Sequence, residues 1–203
     1  ALYAGRRPRV KSTGDGLTIR DLCNHFLTAR QRKVDANEMT RRSWLEYKQA
    51  CAYIIAGFGK DRRVDDLASD DFGELRAMLE QIRAEDAAAH GRDARPHWAR
   101  AADAWQQALL HGAKDRARLQ RLMARACLAA GDPQRAADAL ARAAESDPEP
   151  EETWMLYHQA VRATGDPAPL QNHLHAAWGR LRKREPVPHD ALAAVAWHLA
   201  VLY

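Results

Sequence analysis

The stretch Leu122–Pro150 reads LMARACLAAGDPQRAADALARAAESDPEP, and its Gly131-Asp132-Pro133 returns thirty-four residues later as Gly165-Asp166-Pro167, within Leu156–Gln171, LYHQAVRATGDPAPLQ. A period near that length marks a repeated helix-turn-helix unit. Before Gly131, the residues Leu119, Leu122, Met123, Ala126, Cys127 and Ala130 recur at steps of three and four, the stripe of one helix. Gly131 can take the left-handed conformation that ends this helix. Asp132 then caps the next helix, and Pro133 sits at its first position, where no amide hydrogen is missed. Ala136, Leu140 and Ala143 form the facing stripe, and Asp147-Pro148 stops the second helix.

Residues 117–150 resemble a tetratricopeptide repeat. Gly131, Ala136, Ala143 and Pro148 fall at that family's offsets, with Met123 and Ala124 at the helix crossing. The following unit starts at Glu151 and keeps Trp154, Tyr157, Gly165 and Ala177. It departs from the pattern at Leu170, where a small residue is usual, and at Arg182, where proline is expected. The final AVAWHLAVLY again reads as a first helix, with Leu199, Ala200 and Tyr203 at suitable offsets. No partner helix follows it, so its apolar face is expected to be covered by more chain, a partner or a second copy.

Such a stack offers a concave groove lined by the first helix of each repeat. Arg118, Arg121 and Arg125 share one helical face apart from the buried stripe. With Gln159 and Arg162 from the next repeat they are candidates for holding an acidic peptide or a C-terminal carboxylate, because guanidinium groups pair bidentately with carboxylates. The alternative is a set of ordinary solvated arginines.

The segment upstream has another character. In residues 17–83, Thr18 and Asp21 form a capping-box-like start. Ile19, Leu22, Phe26 and Leu27 give the first apolar face. Thr40 opens a second helix carrying Trp44, Tyr47, Cys51, Ile54 and Ile55, which ends at Gly57-Phe58-Gly59. A link with Val64 and Leu67 leads to Ser69, a good N-cap, followed by Asp70 and Asp71 at the positive end of a third helix with Phe72, Leu75, Met78 and Leu79. These helices are expected to form a small orthogonal bundle.

From Leu17 to Leu79 this segment resembles the core-binding domain of phage-type tyrosine recombinases (integrases), in LTIRDLCNHFL, TRRSWLEYKQACAYIIAGFGKDRRVDDL and ASDDFGELRAML. The resemblance implies a clamp on duplex DNA, gripping mostly phosphates. That role would fall to Arg30, Arg32, Lys33, Arg41, Arg42, Lys48, Lys60, Arg62 and Arg63, with Thr40 and Ser43 adding contacts at a helix N-terminus. In that family a fourth helix closes the domain, and Trp105, Ala108 and Gly112 stand at its steps. The same stretch also fits a second repeat helix with Ala101, Trp105 and Ala108 inward, and Ala84–Pro96 looks like a junction. The recombinases further imply a nucleophilic tyrosine and a His-x-x-Arg box in a larger domain beyond. The residues after 112 read as repeats instead, so the chain is not expected to cleave DNA.

Charge agrees with this division. Residues 1–63 hold fourteen Lys and Arg against six Asp and Glu, whereas from 84 onward the two are equal at fifteen each. A local cationic excess attracts phosphate backbones, although a solvated basic face is the commoner origin. No apolar run is long enough to cross a bilayer, and residues 1–16 have no apolar core of a secretory signal. Cys23, Cys51 and Cys127 are scattered and odd in number, which fits a reducing cytoplasm rather than a disulfide framework. There is no GxSxG elbow, P-loop, dinucleotide fingerprint or HExxH. His173 and His175 are two apart on an expected helix, so they point apart, and no cofactor or metal is expected. Trp98, Trp105, Trp154, Trp178 and Trp197 are expected in the core or at helix crossings.

The sequence therefore predicts an all-α protein. A basic segment over 1–16 precedes a helical bundle over 17–83 (or to 112), then a junction over 84–95 and a short α-solenoid over 96–203. Its expected role is a non-catalytic DNA-binding module joined to a protein-interaction repeat domain. The alternatives are a repeat scaffold or adaptor without DNA binding, and a recombinase fragment without its catalytic domain.

Overall fold

A computed structural model describes residues 16–111 and 115–202, apart from the side chains of Ser69 and Asp70. All of the basic segment over 1–16 except Gly16, together with Gly112 and Tyr203, therefore lies outside the described residues, as does the capping role of the Ser69 side chain. Among the described residues the structure is helical throughout, with one isolated bridge between Thr18 and Arg63 and no strand. The chain divides after Ala68 into two compact units.

The first unit holds α1 (Ile19–Asp35), α2 (Arg41–Phe58) and a single 3-10 turn (Val64–Asp66). Thr18 and Asp21 make the capping box, each side chain meeting the other's backbone amide. The amides of Ile19 and Arg20 donate to Arg62 O and Lys60 O at 2.9 and 3.0 Å, so the loop after α2 satisfies the first turn of α1. Thr40 caps α2 by accepting from the Ser43 amide. The core here is thin. Ile19, Cys23 and Cys51 are fully buried, with Phe26, Leu27, Ile54, Ile55, Phe58, Val64 and Leu67 packed around them. Leu22 and Tyr47, expected inside, stand at the surface, and Cys23 takes the inward position instead.

The second unit is a run of helices in which each packs on its neighbours in sequence and, from its third helix onward, on the next but one. Its elements are α3 (Ser69–Ala89), α4 (Arg95–Leu110), α5 (Arg116–Ala130), α6 (Pro133–Ser146), α7 (Glu151–Thr164), α8 (Ala168–Leu181) and α9 (His189–Leu202). α4 packs on α3 and α5, α5 on α6 and α7, α6 on α7 and α8, and α9 on α7 and α8. This is a stack of helical hairpins, and one continuous apolar core runs through it from Ala77 to Val195.

Where the sequence groups residues 69–83 with the bundle, the structure runs one helix through Ser69–Ala89 and packs it on α4. The cause is small side chains. Ala77, Ala84 and Ala87 are buried along one stripe of α3. Gly73 meets Ala108 so closely that an added Cβ would lie 3.3 Å from the alanine methyl. The Trp105 and Ala108 stripe of α4 is likewise buried within this unit, together with Ala101 and Ala104.

The turn chemistry of the repeats is as the sequence predicts. Gly131 and Gly165 end their helices with φ of 87° and 83°, and Asp132 caps α6 by accepting from the Arg135 amide. At the position thirty-four residues after Ala136, Leu170 is fully buried, and α8 packs less closely on α7 than α6 does on α5. The larger side chain accounts for the wider spacing. Trp105 and Trp154 are buried and Trp98 and Trp178 partly so. Trp197 departs from expectation at 58% exposed, on the face of α9 that no described helix covers.

Candidate interaction surfaces

On α5, Arg118, Arg121 and Arg125 lie on the stripe opposite Gln120, Met123 and Cys127, which face the core. Each arginine meets a carboxylate from a different part of the stack. Arg118 lies 3.7 Å from Glu74 on α3, Arg121 lies 3.8 Å from Asp147 at the end of α6, and Arg125 pairs with Glu152 on α7. Arg118 and Arg125 are about half exposed, while the Arg121 side chain is only 14% exposed. On α7, Gln159 and Arg162 are both exposed, on the same stripe as the exposed Met155. Among the described residues neither Gln159 nor Arg162 has an ion pair or hydrogen-bonded side-chain partner.

Other charged groups serve the stack itself. Arg180 on α8 donates to Glu145 O and Ala144 O at 2.7 and 3.0 Å, closing the C-terminal end of α6. Arg135 on α6 pairs with Asp103 on α4 at 2.8 Å. Contrary to the reading that the sequence holds no His-x-x-Arg box, His97-Trp98-Ala99-Arg100 on α4 has that spelling, and its two side chains gather on a carboxylate of α3. His97 Nδ1 and Arg100 Nε lie 3.4 and 3.2 Å from Glu80 on α3, whose other oxygen accepts from Arg83 at 2.6 Å. Burial would raise the Glu80 pKa, but hydrogen bonds from His97 and Arg83 and the charges of Arg83 and Arg100 hold it below the ordinary carboxylate range.

In the first unit the basic residues fall into three groups. Arg42 pairs with Glu46 at 3.4 Å, Arg62 donates to Asp66 O at 3.2 Å, and Arg63 holds Asp65 with two bonds. Arg30 lies over the rings of Phe26 and Tyr47, and Lys48 over Trp44. Arg32, Lys33, Arg41 and Lys60 are exposed, with no carboxylate within ion-pair distance among the described residues. Arg32 and Lys33 sit in the last turn of α1, where they complement the helix dipole. The Thr40 and Ser43 hydroxyls lie 3.0 Å apart, and the Thr40 hydroxyl is occupied by the cap of α2. Burial pushes the Cys23 thiol up to about 11, with Cys51 beside it adding to the shift.

Among the described residues no three His, Cys, Asp or Glu side chains gather as a metal site. His173 is placed against Pro169 O and the Tyr157 hydroxyl, and His175 is exposed. No helix of the described residues is long and apolar enough to cross a membrane.

The fold and these surfaces define an α-solenoid of helical hairpins. Residues 117–160 match the family model described as a tetratricopeptide repeat. No curated protein and no solved structure matches the chain. Nothing in these comparisons supports the integrase resemblance of residues 17–79. A tetratricopeptide repeat points to a protein-interaction scaffold and so to protein partners.

Proposed function

We propose that the stack over α3–α9 is a scaffold that binds an acidic peptide segment of a partner protein along α5 and α7. One observation carries this reading. The outward arginines of α5 form a row whose internal carboxylates come from three other segments, and the row continues into the uncommitted Gln159 and Arg162 of α7. Surface ion pairs of this kind contribute little stability, so an incoming carboxylate exchanges with Glu74 or Glu152 at small cost. Met155 at 59% exposed, beside that row, offers an apolar anchor.

The test is capture of partners on the full-length protein, with wild type compared against Arg162→Glu and Arg125→Glu. Both variants are expected to melt like wild type and to lose partner. Unchanged capture by both would remove the acidic-ligand reading. Arg121→Glu is the less clean probe, since its side chain is largely covered and its replacement disturbs packing.

A second reading concerns the first unit, and the unpaired, exposed Arg32, Lys33, Arg41 and Lys60 favour it: binding to duplex DNA phosphates, with Arg30, Arg42, Lys48, Arg62, Arg63, Thr40 and Ser43 as further candidates. Fluorescence anisotropy of the whole chain on random duplex DNA, across a salt series, tests it. Binding that fades steeply with salt is expected, and each substitution that takes a cation away from a phosphate should reduce the slope by about one. Flat, negligible binding would leave the scaffold alone.

A further inference from the structure

Two of the three fully buried side chains of the first unit are cysteines, and they meet each other. Cys23 stands in the second turn of α1 and Cys51 within α2, 28 positions apart in the chain. The Cys23 thiol donates to Cys51 O at 3.9 Å, and the Cys51 thiol lies within hydrogen-bonding reach of it. The two are 3% and 5% exposed, and both are free thiols. Cys127, the third cysteine, is buried in the second unit, where it is the only one.

Two fastenings fix how α1 lies on α2 at this point. Before Cys23, the amides of Ile19 and Arg20 donate to Arg62 O and Lys60 O, and after it Trp44 Nε1 donates to Leu27 O at 3.5 Å. Thiols already in contact on two such fixed helices can join with little backbone movement. Burial, with Cys51 adding to it, pushes the Cys23 thiol up to about 11. A protonated, covered sulfur is a poor nucleophile, so reaction waits for the unit to open. A core of three fully buried side chains opens more readily than the continuous core of the stack.

We infer that Cys23 and Cys51 form a reversible disulfide when the protein meets a small disulfide oxidant such as glutathione disulfide, and that this bond staples α1 to α2. One thiol of the pair loses its proton and its sulfur attacks a sulfur of the oxidant. The oxidant's S–S bond breaks, and the first glutathione leaves and takes up a proton. The other cysteine, deprotonated in turn, displaces the second glutathione and closes the Cys23–Cys51 bond. Two protein thiols are oxidised, one disulfide is reduced to two thiols, and both protons end on the released glutathiones. The closed loop restricts the opened form of the unit, so the oxidised protein resists opening there. Cys127 has no partner with which to close. This device does not depend on either binding reading given above.

The experiment equilibrates the whole protein with glutathione disulfide, alkylates the remaining thiols in denaturant and maps the peptides by mass spectrometry. One cross-link is expected, between the Cys23 and Cys51 peptides, with Cys127 alkylated and all three thiols recovered by dithiothreitol. At the same glutathione ratio, the folded chain should favour the cross-link over the urea-unfolded chain by roughly tenfold or more. Hydrogen exchange of the amides in α1 and α2 should slow by a similar factor on oxidation, with α5 to α7 unchanged. Cys127→Ala should oxidise as wild type does. Three alkylated thiols after equilibration, glutathione adducts without closure, a cross-link that includes Cys127, or no preference over the unfolded chain would overturn the inference. So would unchanged or faster exchange in α1 and α2 of the oxidised protein.

Discussion

The two units are both helical, yet they are held together differently. In the first, three fully buried side chains, Ile19, Cys23 and Cys51, carry the packing, and a backbone clasp between the start of α1 and residues 60–64 closes it. In the second, a core dominated by alanine and leucine runs unbroken through successive hairpins, and arginines bridge helices that are distant in sequence. Small residues let helices approach closely and repeat the same junction. The lesson is that similar helical content hides unequal depth of burial, and that arginines tie packed helices to one another in the second unit whereas the first leaves Arg32, Lys33, Arg41 and Lys60 open to solvent.

The largest contrast should appear in core truncation. Trp154 is fully buried and donates to Pro148 O at 3.0 Å, so Trp154→Ala is expected to cost about 3–5 kcal/mol in urea unfolding. In the thin core of the first unit, Ile19→Val is expected to cost only about 1 kcal/mol. Equal costs would break the comparison.

Next comes acid. His198 on α9 is 1% exposed and stacks on His158 of α7 at 4.9 Å between ring centroids. Burial lowers its pKa from 6.5 to about 4, and His158 adds to the shift. The unfolded chain therefore takes up this proton at higher pH than the folded one. Stability is full above pH 6.5 and is lost as the pH falls toward 4, by an amount on the order of 3 kcal/mol. Chemical denaturation across that window checks it, and His198→Phe should flatten the dependence.

A smaller effect is shared by both units. Gly59 and Gly131 have φ of 85° and 87°, with open space where a Cβ would stand. Alanine at either site should cost about 1 kcal/mol, purely from backbone conformation. The smallest effect is electrostatic. Arg41→Glu should change stability by less than about 0.5 kcal/mol, because among the described residues Arg41 has no ion-pair partner. A large change in melting would show that this cation is spent on the fold.

How far the sequence revealed these features depends on how local each one is. The turns at Gly131 and Gly165, the caps at Thr18, Thr40 and Asp132, and the stripe of α5 all follow from residues within a turn or two of one another. α3 was harder, because Phe72, Leu75, Met78 and Leu79 suggested an apolar bundle face. Its close packing on α4 rests on Gly73 and Ala77, with Ala84 and Ala87 buried further along, and small side chains carry little periodic signal. The arginine row of α5 was visible as a stripe. The carboxylates that meet it were not, since Glu152 lies 27 residues from Arg125 and Glu74 farther still from Arg118.

Hydrogen exchange on the intact chain, read helix by helix, bears most directly on the account. Slow amides of α3 are expected to exchange together with those of α4 and α5, as one block separate from α1 and α2. If α3 instead opens with α1 and α2, the division after Ala68 is contradicted and the stack begins one helix later, at α4.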